Sequence, residues 1–336
     1  MPIDQTTFPT LNDHLAEPLG VGDPDVHGPL AVFPVYGPDP VLEYVSFAQG
    51  RTRGVTIKEV EGLASVNDLH VLNSSEQAVL LYEGEEVLGA QQNRTFDVSV
   101  LVGARSDVGV PVSCVEHGRW DGSRHGEGFA PAPQAAYPAL RRMKNRQATV
   151  RAVAGGEIRA MQSAVWDEVA AKAGRMSVDS DTDAMHDIFE GRRDSLDEFH
   201  AAVRLHDGQT GALVAIGGKM TVLDHVSRPD VFVALHGPLL HGYALDALEA
   251  DADTVPSVED ASAFLARILS SRVSQRDGVG LGRDVRFSEP GLGGAGLVAA
   301  DELVQLTAFA DDGNPGAELT AGERARIRRP SRRRAG

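Results

Sequence analysis

The residues best suited to chemistry lie in Leu80–Trp120, where polar side chains interrupt three short apolar runs. Glycosidic hydrolysis needs one carboxyl group to protonate the leaving group and a second to act as base or nucleophile. Glu83 and Glu85 are two residues apart, so on a continuing strand both would point to one face. Glu116 ends another predicted strand. These three carboxylates are the candidate catalytic residues. The alternative for Glu83 and Glu85 is that they are solvated turn residues beside Gly84.

A second polar group precedes the next apolar run. Arg94 offers a planar fork that suits a phosphate or a carboxylate, and Asn93 can donate and accept hydrogen bonds at once. The alternative is a buried polar network in which Arg94 pairs with Glu85 or Glu116. The candidate ligand-binding residues are Gln92, Asn93, Arg94, Arg119 and Trp120.

Two conspicuous residues nearby have ordinary structural explanations. Cys114 is the only cysteine, and strand alternation would turn it away from His117, three residues later. A free cysteine is usually buried, so we predict a core thiol rather than a nucleophile. Trp120 could stack on a base or ribose, although closing the end of a core is the commoner use of tryptophan.

The sequence indicates no metal site. Acidic residues between Asp179 and Glu190 follow the spacing of a calcium-binding EF-hand loop, but Ala184 stands where that loop requires glycine. A short helix capped by Ser180 or Thr182 explains the same residues. No phosphate-binding glycine loop occurs between a strand and a helix, so classical nucleotide-binding folds are not expected. We therefore predict no metal ligands and leave the cofactor unknown.

The composition and charge of the chain argue against several classes of partner and location. The 336 residues carry a net charge of −16, which argues against a nucleic-acid partner. No apolar run approaches the roughly 20 residues that cross a membrane, and the acidic start does not resemble a signal peptide. A single cysteine fits a reducing compartment, so we predict a cytoplasmic protein without a membrane partner.

Periodicity divides the chain into a strand-rich first part and a mixed second part. We predict an α+β protein, with an N-terminal antiparallel β-sandwich or barrel followed by a helical segment and a small antiparallel sheet with packed helices. The predicted parts are an irregular arm (1–28), a β domain with the candidate site (29–120), a Gly/Pro-rich linker (121–140), an α+β domain (141–312) and a disordered basic tail (313–336).

Two motifs in the candidate region carry a family resemblance. Gly84–Arg94 reads GEEVLGAQQNR and Val110–Trp120 reads VPVSCVEHGRW; a later GALVAIGGKMTVL segment (Gly211–Leu223) and a helix at Leu239–Leu248 accompany them. Together they resemble the ARG and rhodanese-phosphatase-associated protein domain family, over about residues 28–310.

The resemblance implies a role near NAD or ADP-ribose metabolism, because the family is associated with ADP-ribosylglycohydrolases and rhodanese-type phosphatases. It supplies no established reaction. Two hypotheses follow. The first is a hydrolase that uses the paired carboxylates on an ADP-ribose-type compound, a small nucleotide-type ligand. The second is a non-catalytic ligand- or partner-binding module that acts with an ADP-ribosylglycohydrolase or a phosphatase.

Overall fold

The computed structural model describes residues 9–59, 67–120, 128–252 and 254–311. Parts of the predicted arm and linker, and the predicted basic tail, lie outside these residues. The α+β class with antiparallel sheets is confirmed. None of the helices within the described ranges is long and apolar enough to cross a membrane.

The described residues form 18 strands in three sheets. The first part of the chain contributes β1 (Gly20–Val21), β2 (Asp25–His27), β3 (Leu30–Tyr36), β4 (Tyr44–Ser46), β5 (Val55–Glu59), β6 (Asp68–Asn73), β7 (Ala78–Leu81), β8 (Glu85–Leu88), β9 (Arg94–Phe96), β10 (Val100–Val102), β11 (Ser106–Cys114) and β12 (Ala130–Ala135). The second part contributes β13 (Gly211–Ile216), β14 (Lys219–Val226), β15 (Ser274–Asp277), β16 (Arg283–Glu289), β17 (Leu292–Ala299) and β18 (Glu302–Ala310).

Seven α-helices accompany these strands within the described ranges. They are α1 (Phe47–Arg51), α2 (Pro138–Val153), α3 (Gln162–Met176), α4 (Met185–Glu190), α5 (Arg193–Ala202), α6 (Pro229–Ala247) and α7 (Val258–Leu269). Both α2 and α6 begin with proline at a first-turn position, where its missing N–H costs no intrahelical bond. Helix α6 also contains Pro238.

The three sheets differ in size and position. A nine-stranded sheet runs in the order β1-β3-β13-β14-β18-β17-β16-β15, with β2 also paired to β3. A six-stranded sheet has the order β12-β8-β9-β11-β6-β5, and a small sheet has the order β10-β7-β4. All pairs are antiparallel except β4 with β7. The six-stranded sheet carries the candidate residues at β8, β9 and the end of β11.

Strand pairing crosses the predicted domain boundaries. Strand β3 belongs to the predicted β domain, yet it pairs along its whole length with β13 of the predicted α+β domain. Strand β12 and the start of α2 occupy part of the predicted linker. The division of the chain into domains stays a prediction.

The β13–β14 hairpin turns at two glycines. Gly217 and Gly218 form its two-residue turn with φ of 56° and 73°. Two consecutive positive φ angles match the twist of the flanking strands, and glycine adopts them without steric cost.

A buried arginine joins the sheets through α2. The guanidinium of Arg141 donates to Glu83 at 2.7 Å and 3.0 Å, and to both oxygens of Asp224 at 2.9 Å and 2.5 Å. The Tyr82 and Tyr243 hydroxyls each donate to Asp224 at 2.6 Å. Since these residues come from the β7–β8 turn, α2, β14 and α6, one ionic network ties four separate elements together.

The same network explains one glycine of the GEE motif. A Cβ atom at Gly84 would lie 2.6 Å from both Cδ and Nε of Arg141, and the residue has a φ of 85°. A larger residue would therefore strain the backbone and displace the arginine. Burial raises the pKa of Glu83, whereas the hydrogen bonds and charge of Arg141 hold the pKa of Asp224 below its usual value despite burial.

We expect Arg141→Met to lower the free energy of unfolding by about 3–5 kcal/mol, because it leaves two buried carboxylates without their cation. Urea denaturation at pH 7 would measure the change. Arg151→Met, on the same helix, is the matched control and should alter stability by about 0.5 kcal/mol or less. A loss below about 1 kcal/mol for Arg141→Met would show that the network does not hold the sheets together.

Candidate functional site

Arg94 lies in the middle of the six-stranded sheet. Strand β9 sits between β8 and β11, so Arg94 is opposite Val87 on one side and Cys114 on the other. Its side chain is fully buried, and it donates to Gln92 Oε1 at 3.0 Å and to Glu59 Oε1 at 3.5 Å. The predicted pairing with Glu85 or Glu116 is therefore wrong, because Gln92 and Glu59 are its partners. Arg94 does lie in a buried polar network, but its partners differ from those predicted.

Trp120 covers this arginine. The guanidinium carbon of Arg94 lies 5.9 Å from the centre of the Trp120 ring, within reach of a cation–π contact. Trp120 itself is 49% exposed, so it does not close the end of a core. It is the one predicted site residue with a large exposed surface.

Glu116 forms a second, separate network. Arg119 donates to its two oxygens at 3.0 Å and 2.7 Å, the backbone N–H of Asn93 donates at 3.0 Å, and the Thr182 hydroxyl donates at 2.8 Å. Arg119 also donates to the Ala90 carbonyl at 2.6 Å. Burial raises the pKa of Glu116, but the hydrogen bonds from Arg119, Asn93 and Thr182 outweigh it, so the pKa lies below its ordinary value.

Glu83 and Glu85 do not share a strand face. Residues 82–85 form a tight turn, with Glu85 N–H donating to the Tyr82 carbonyl at 3.1 Å, and β8 begins only at Glu85. The alternation argument fails because the strand does not continue through Gly84. Both side chains are buried, at 3% and 7% exposure, so they are not solvated turn residues either.

The predicted site residues thus divide among distinct networks. The structure brings together Asn93, Glu116 and Arg119, and separately Gln92, Arg94 and Trp120, while Glu83 belongs to the Arg141 network. Two buried polar atoms, Asn93 Nδ2 and Arg94 Nε, have no hydrogen-bond partner among the described residues. The first two networks meet where β9 begins and β11 ends, since the Asn93 N–H donates to Glu116 and the Gln92 amide donates to the His117 carbonyl. We call this end of the two strands the polar edge.

A buried ion pair of α2 was not among the residues predicted from the sequence. Lys144 is fully buried on α2 and contacts Asp97 at 3.0 Å, and Asp97 accepts a hydrogen bond from Ser113 at 2.6 Å. Lys144 and Arg141 are three residues apart, which places both on the buried side of α2. Two cations at that spacing on an otherwise apolar face were the available signal.

The metal prediction can be compared only with the described part of the chain. There, no group of three or more histidine, cysteine or acidic side chains is arranged to hold a metal ion. Ala184, at the EF-hand glycine position, has an extended backbone with a φ of −87°. The short helix predicted from these residues is α4, but its N-cap is Ala184 and not Ser180 or Thr182.

The pKa of Glu85 is unusually high for a glutamate. Burial raises its pKa to about 7, although the Tyr82 N–H that donates to it at 2.8 Å lowers the value somewhat. In the unfolded chain the pKa of glutamate is about 4.3. The folded state therefore binds the proton more tightly, and stability is lost as pH rises from the unfolded pKa through 7.

We expect Glu85→Gln to stabilise the protein more at pH 8 than at pH 5, by up to roughly 3 kcal/mol. Glutamine keeps an oxygen acceptor for Tyr82 but carries no charge to desolvate at high pH. Urea denaturation at the two pH values would measure this difference. Glu17→Gln, at an exposed position, is the control and should show no such pH dependence. Equal stabilisation at both pH values would contradict the raised pKa.

Cys114 should be chemically inert in the folded protein. Its side chain has 0% exposure, and burial raises the pKa of the thiol to about 12. We expect a thiol-reactive disulfide reagent at pH 8 to modify it at least about a hundredfold more slowly than in urea-unfolded protein. A cysteine introduced by Val153→Cys in a Cys114→Ala background, at an 80% exposed position, is the reactive control. Rapid native labelling of Cys114 would refute the core-thiol assignment.

Comparison with known proteins supports the family assignment. A search of curated proteins and a search of solved structures gave no significant match. A family model described as the ARG and Rhodanese-Phosphatase-superfamily-associated Protein domain matches residues 18–309. That range contains all four motif segments and nearly all of the described structure. The chain therefore belongs to the ARG and rhodanese-phosphatase-superfamily-associated protein domain family.

Proposed function

We propose that this protein is a non-catalytic binding module of the cytoplasm that acts with an ADP-ribosylglycohydrolase or a rhodanese-type phosphatase. Membership of a family named for its association with those two groups is the observation that carries the proposal. NAD or ADP-ribose turnover would then be the setting in which the module works, and its partner would perform the chemistry.

The candidate carboxylates support binding rather than catalysis. A general acid or base must exchange a proton with the substrate and must face it. Glu116 instead accepts hydrogen bonds from Arg119, Asn93 and Thr182, which favour its charged form. Glu83 contacts Arg141 in the interior. Glu116 and Glu83 are therefore each paired with a buried arginine of the protein itself.

The exposed side of the polar edge suits a protein partner. Tryptophan is enriched among the residues that dominate binding energy at interfaces. Trp120 is half exposed and rests on the buried Arg94. His117 lies close by in sequence, with more than half of its side chain exposed and its ring 4.3 Å from that of Trp166. Arg94, Gln92 and Glu59 would then support the tryptophan rather than contact a ligand directly.

A second candidate function is hydrolysis of an ADP-ribose-type compound. One observation favours it: burial raises the pKa of Glu85 to about 7, a value suited to a general acid near neutral pH. Among the described residues, this carboxyl accepts one hydrogen bond, from a backbone N–H, and pairs with no cation. In that case Glu85, and not Glu83 or Glu116, would be the proton donor.

We expect the protein to bind an ADP-ribosylglycohydrolase or a rhodanese-type phosphatase from its own organism, and Trp120→Ala to weaken that binding about tenfold or more. Biolayer interferometry would measure the dissociation constants, and thermal melting would confirm that the variant is folded. Leu72→Ala removes another exposed apolar side chain, where β6 pairs with the opposite end of β11, and should leave affinity unchanged.

Two outcomes would overturn the proposal. Absence of binding to both enzyme classes would exclude the partner role, and equal affinity of the Trp120→Ala variant would exclude this surface. Turnover of ADP-ribose-type compounds by the purified protein, lost in Glu85→Gln, would establish the hydrolase instead.

A further inference from the structure

A small pocket lies where the β3–β4 connection, the short 3-10 helix Leu11–His14 and the β17–β18 turn meet. Its volume is about 100 Å³. Val41, with 77% exposure, and Asp301, whose side chain is 97% exposed, are among its lining residues, so the pocket reaches the protein surface. We call it the β17–β18 pocket. None of the predicted site residues lines it.

His225 is the buried polar residue of this pocket. It is 1% exposed and lines the pocket, yet neither of its ring nitrogens has a hydrogen-bond partner among the described residues. Burial lowers the pKa of His225 to about 4, an effect that the Thr210 backbone opposes only in part. The ring is therefore neutral at pH 7, and one of its nitrogens is a hydrogen-bond acceptor. A buried acceptor beside a pocket indicates a ligand that brings a donor.

Glu302 provides a second acceptor in the same pocket. Its Oε2 atom accepts from the backbone N–H groups of Val41 and Leu42, each at 2.8 Å, whereas its buried Oε1 atom has no partner within the described residues. The preceding turn residues, Ala300 and Asp301, have φ of 50° and 60°. Such strained non-glycine residues cluster at ligand sites. The turn and the two N–H groups thus hold a carboxylate at the pocket.

The charge around the pocket is negative. Asp39 and Asp301 add exposed carboxylates to that of Glu302, and no lysine or arginine is among the described lining residues. Asp301 lies 3.8 Å from Arg283, which is outside the lining and offsets part of this charge. His14 adds no cation at neutral pH, because burial and the nearby Arg283 lower its pKa. The pocket therefore favours a positively charged ligand.

A primary ammonium group meets these requirements. It carries a positive charge and three N–H donors, so it can donate to both Glu302 and His225. An alkali metal ion would satisfy the carboxylate but has no hydrogen for the imidazole. No described group of three or more histidine, cysteine or acidic side chains is placed to hold a transition metal. A water molecule occupies roughly 30 Å³ of liquid, so the pocket admits about three non-hydrogen atoms.

We propose that the β17–β18 pocket binds the primary ammonium end of an unbranched alkylamine. The ammonium group donates to Glu302 Oε1 and to the acceptor nitrogen of His225, while Asp39 and Asp301 attract the cation at the mouth. This inference is independent of the partner-binding function, because the residues and the surface differ. A free amine and the lysine side chain of another protein carry the same group.

Saturation-transfer NMR with ethylammonium chloride on the full chain at pH 7.5 would test the proposal. We expect a dissociation constant of about 1 mM, near the limit for a ligand of three non-hydrogen atoms. Tetramethylammonium has the charge but no N–H donor, and potassium likewise has none, so neither should displace ethylammonium at equal ionic strength. Absence of ethylammonium binding, or equal binding of tetramethylammonium, would overturn the proposal.

Two variants test the assigned contacts. Glu302→Gln keeps an oxygen for the Val41 and Leu42 N–H groups but removes the charge, and it should weaken ethylammonium binding at least about tenfold. His225→Phe keeps a ring without an acceptor and should weaken binding at least about threefold. Glu259→Gln, at an exposed position of α7 outside the pocket, is the control and should bind normally. Thermal melting would confirm folding, and unchanged affinity in either folded variant would contradict the proposal.

Larger amines would identify the source of the ammonium group. Spermidine binding at least about tenfold more tightly than ethylammonium would indicate a free polyamine, whose further charges meet the acidic mouth. Tighter binding of Nα-acetyl-lysine methylamide would instead indicate a lysine side chain. Trp120→Ala should bind ethylammonium normally, and Glu302→Gln should bind the partner enzyme normally. Failure of this proposal is therefore distinguishable from failure of the partner-binding function.

Discussion

The contact between Arg141 and Asp224 is the interaction on which the rest of the structure depends. A buried charge is costly unless it is paired and hydrogen-bonded, so the position of this arginine fixes the positions of its partners. Asp224 accepts from Arg141, Tyr82, Tyr243 and Thr307, which belong to four different parts of the chain. Helix α2 can therefore occupy only one position relative to the nine-stranded sheet. The polar edge is held indirectly, because Glu83 contacts the same arginine and directly precedes Gly84 and β8, the strand that pairs with β9.

Buried ion pairs also occur elsewhere in the interior of the protein. The chain has an excess of acidic residues, yet two of its four lysines are fully buried. Lys144 contacts Asp97, and Lys172 contacts Asp246 at 2.7 Å beside the ring of Tyr137. These buried cations neutralise carboxylates that the fold has removed from water. For the polar edge, this means that a cation in the sequence is weak evidence of an anionic ligand.

Sequence patterns predicted the elements better than the site. The β13–β14 hairpin, the start of α6 at Pro229 and the buried Cys114 all follow from local rules about glycine, proline and free thiols. The sequence allowed a turn beside Gly84 as an alternative, but the burial of Glu83 in that turn could not be predicted, since it depends on Arg141, more than fifty residues later. The partners of Arg94 were likewise set by tertiary contacts, because Glu59 reaches it from β5.

The pairing of β3 with β13 has a consequence for synthesis of the chain on the ribosome. Roughly 175 residues separate these two strands, so at typical translation rates β3 waits roughly 10 to 35 seconds for its neighbour to emerge. Strand β18, which supplies Thr307 and borders β14, emerges later still. During that interval β3 has an unpaired edge composed almost entirely of apolar residues, the kind of segment that pairs with other chains. The nascent protein is therefore most vulnerable to aggregation before β13 is made, and a second open edge, on β14, persists until β18 has left the exit tunnel.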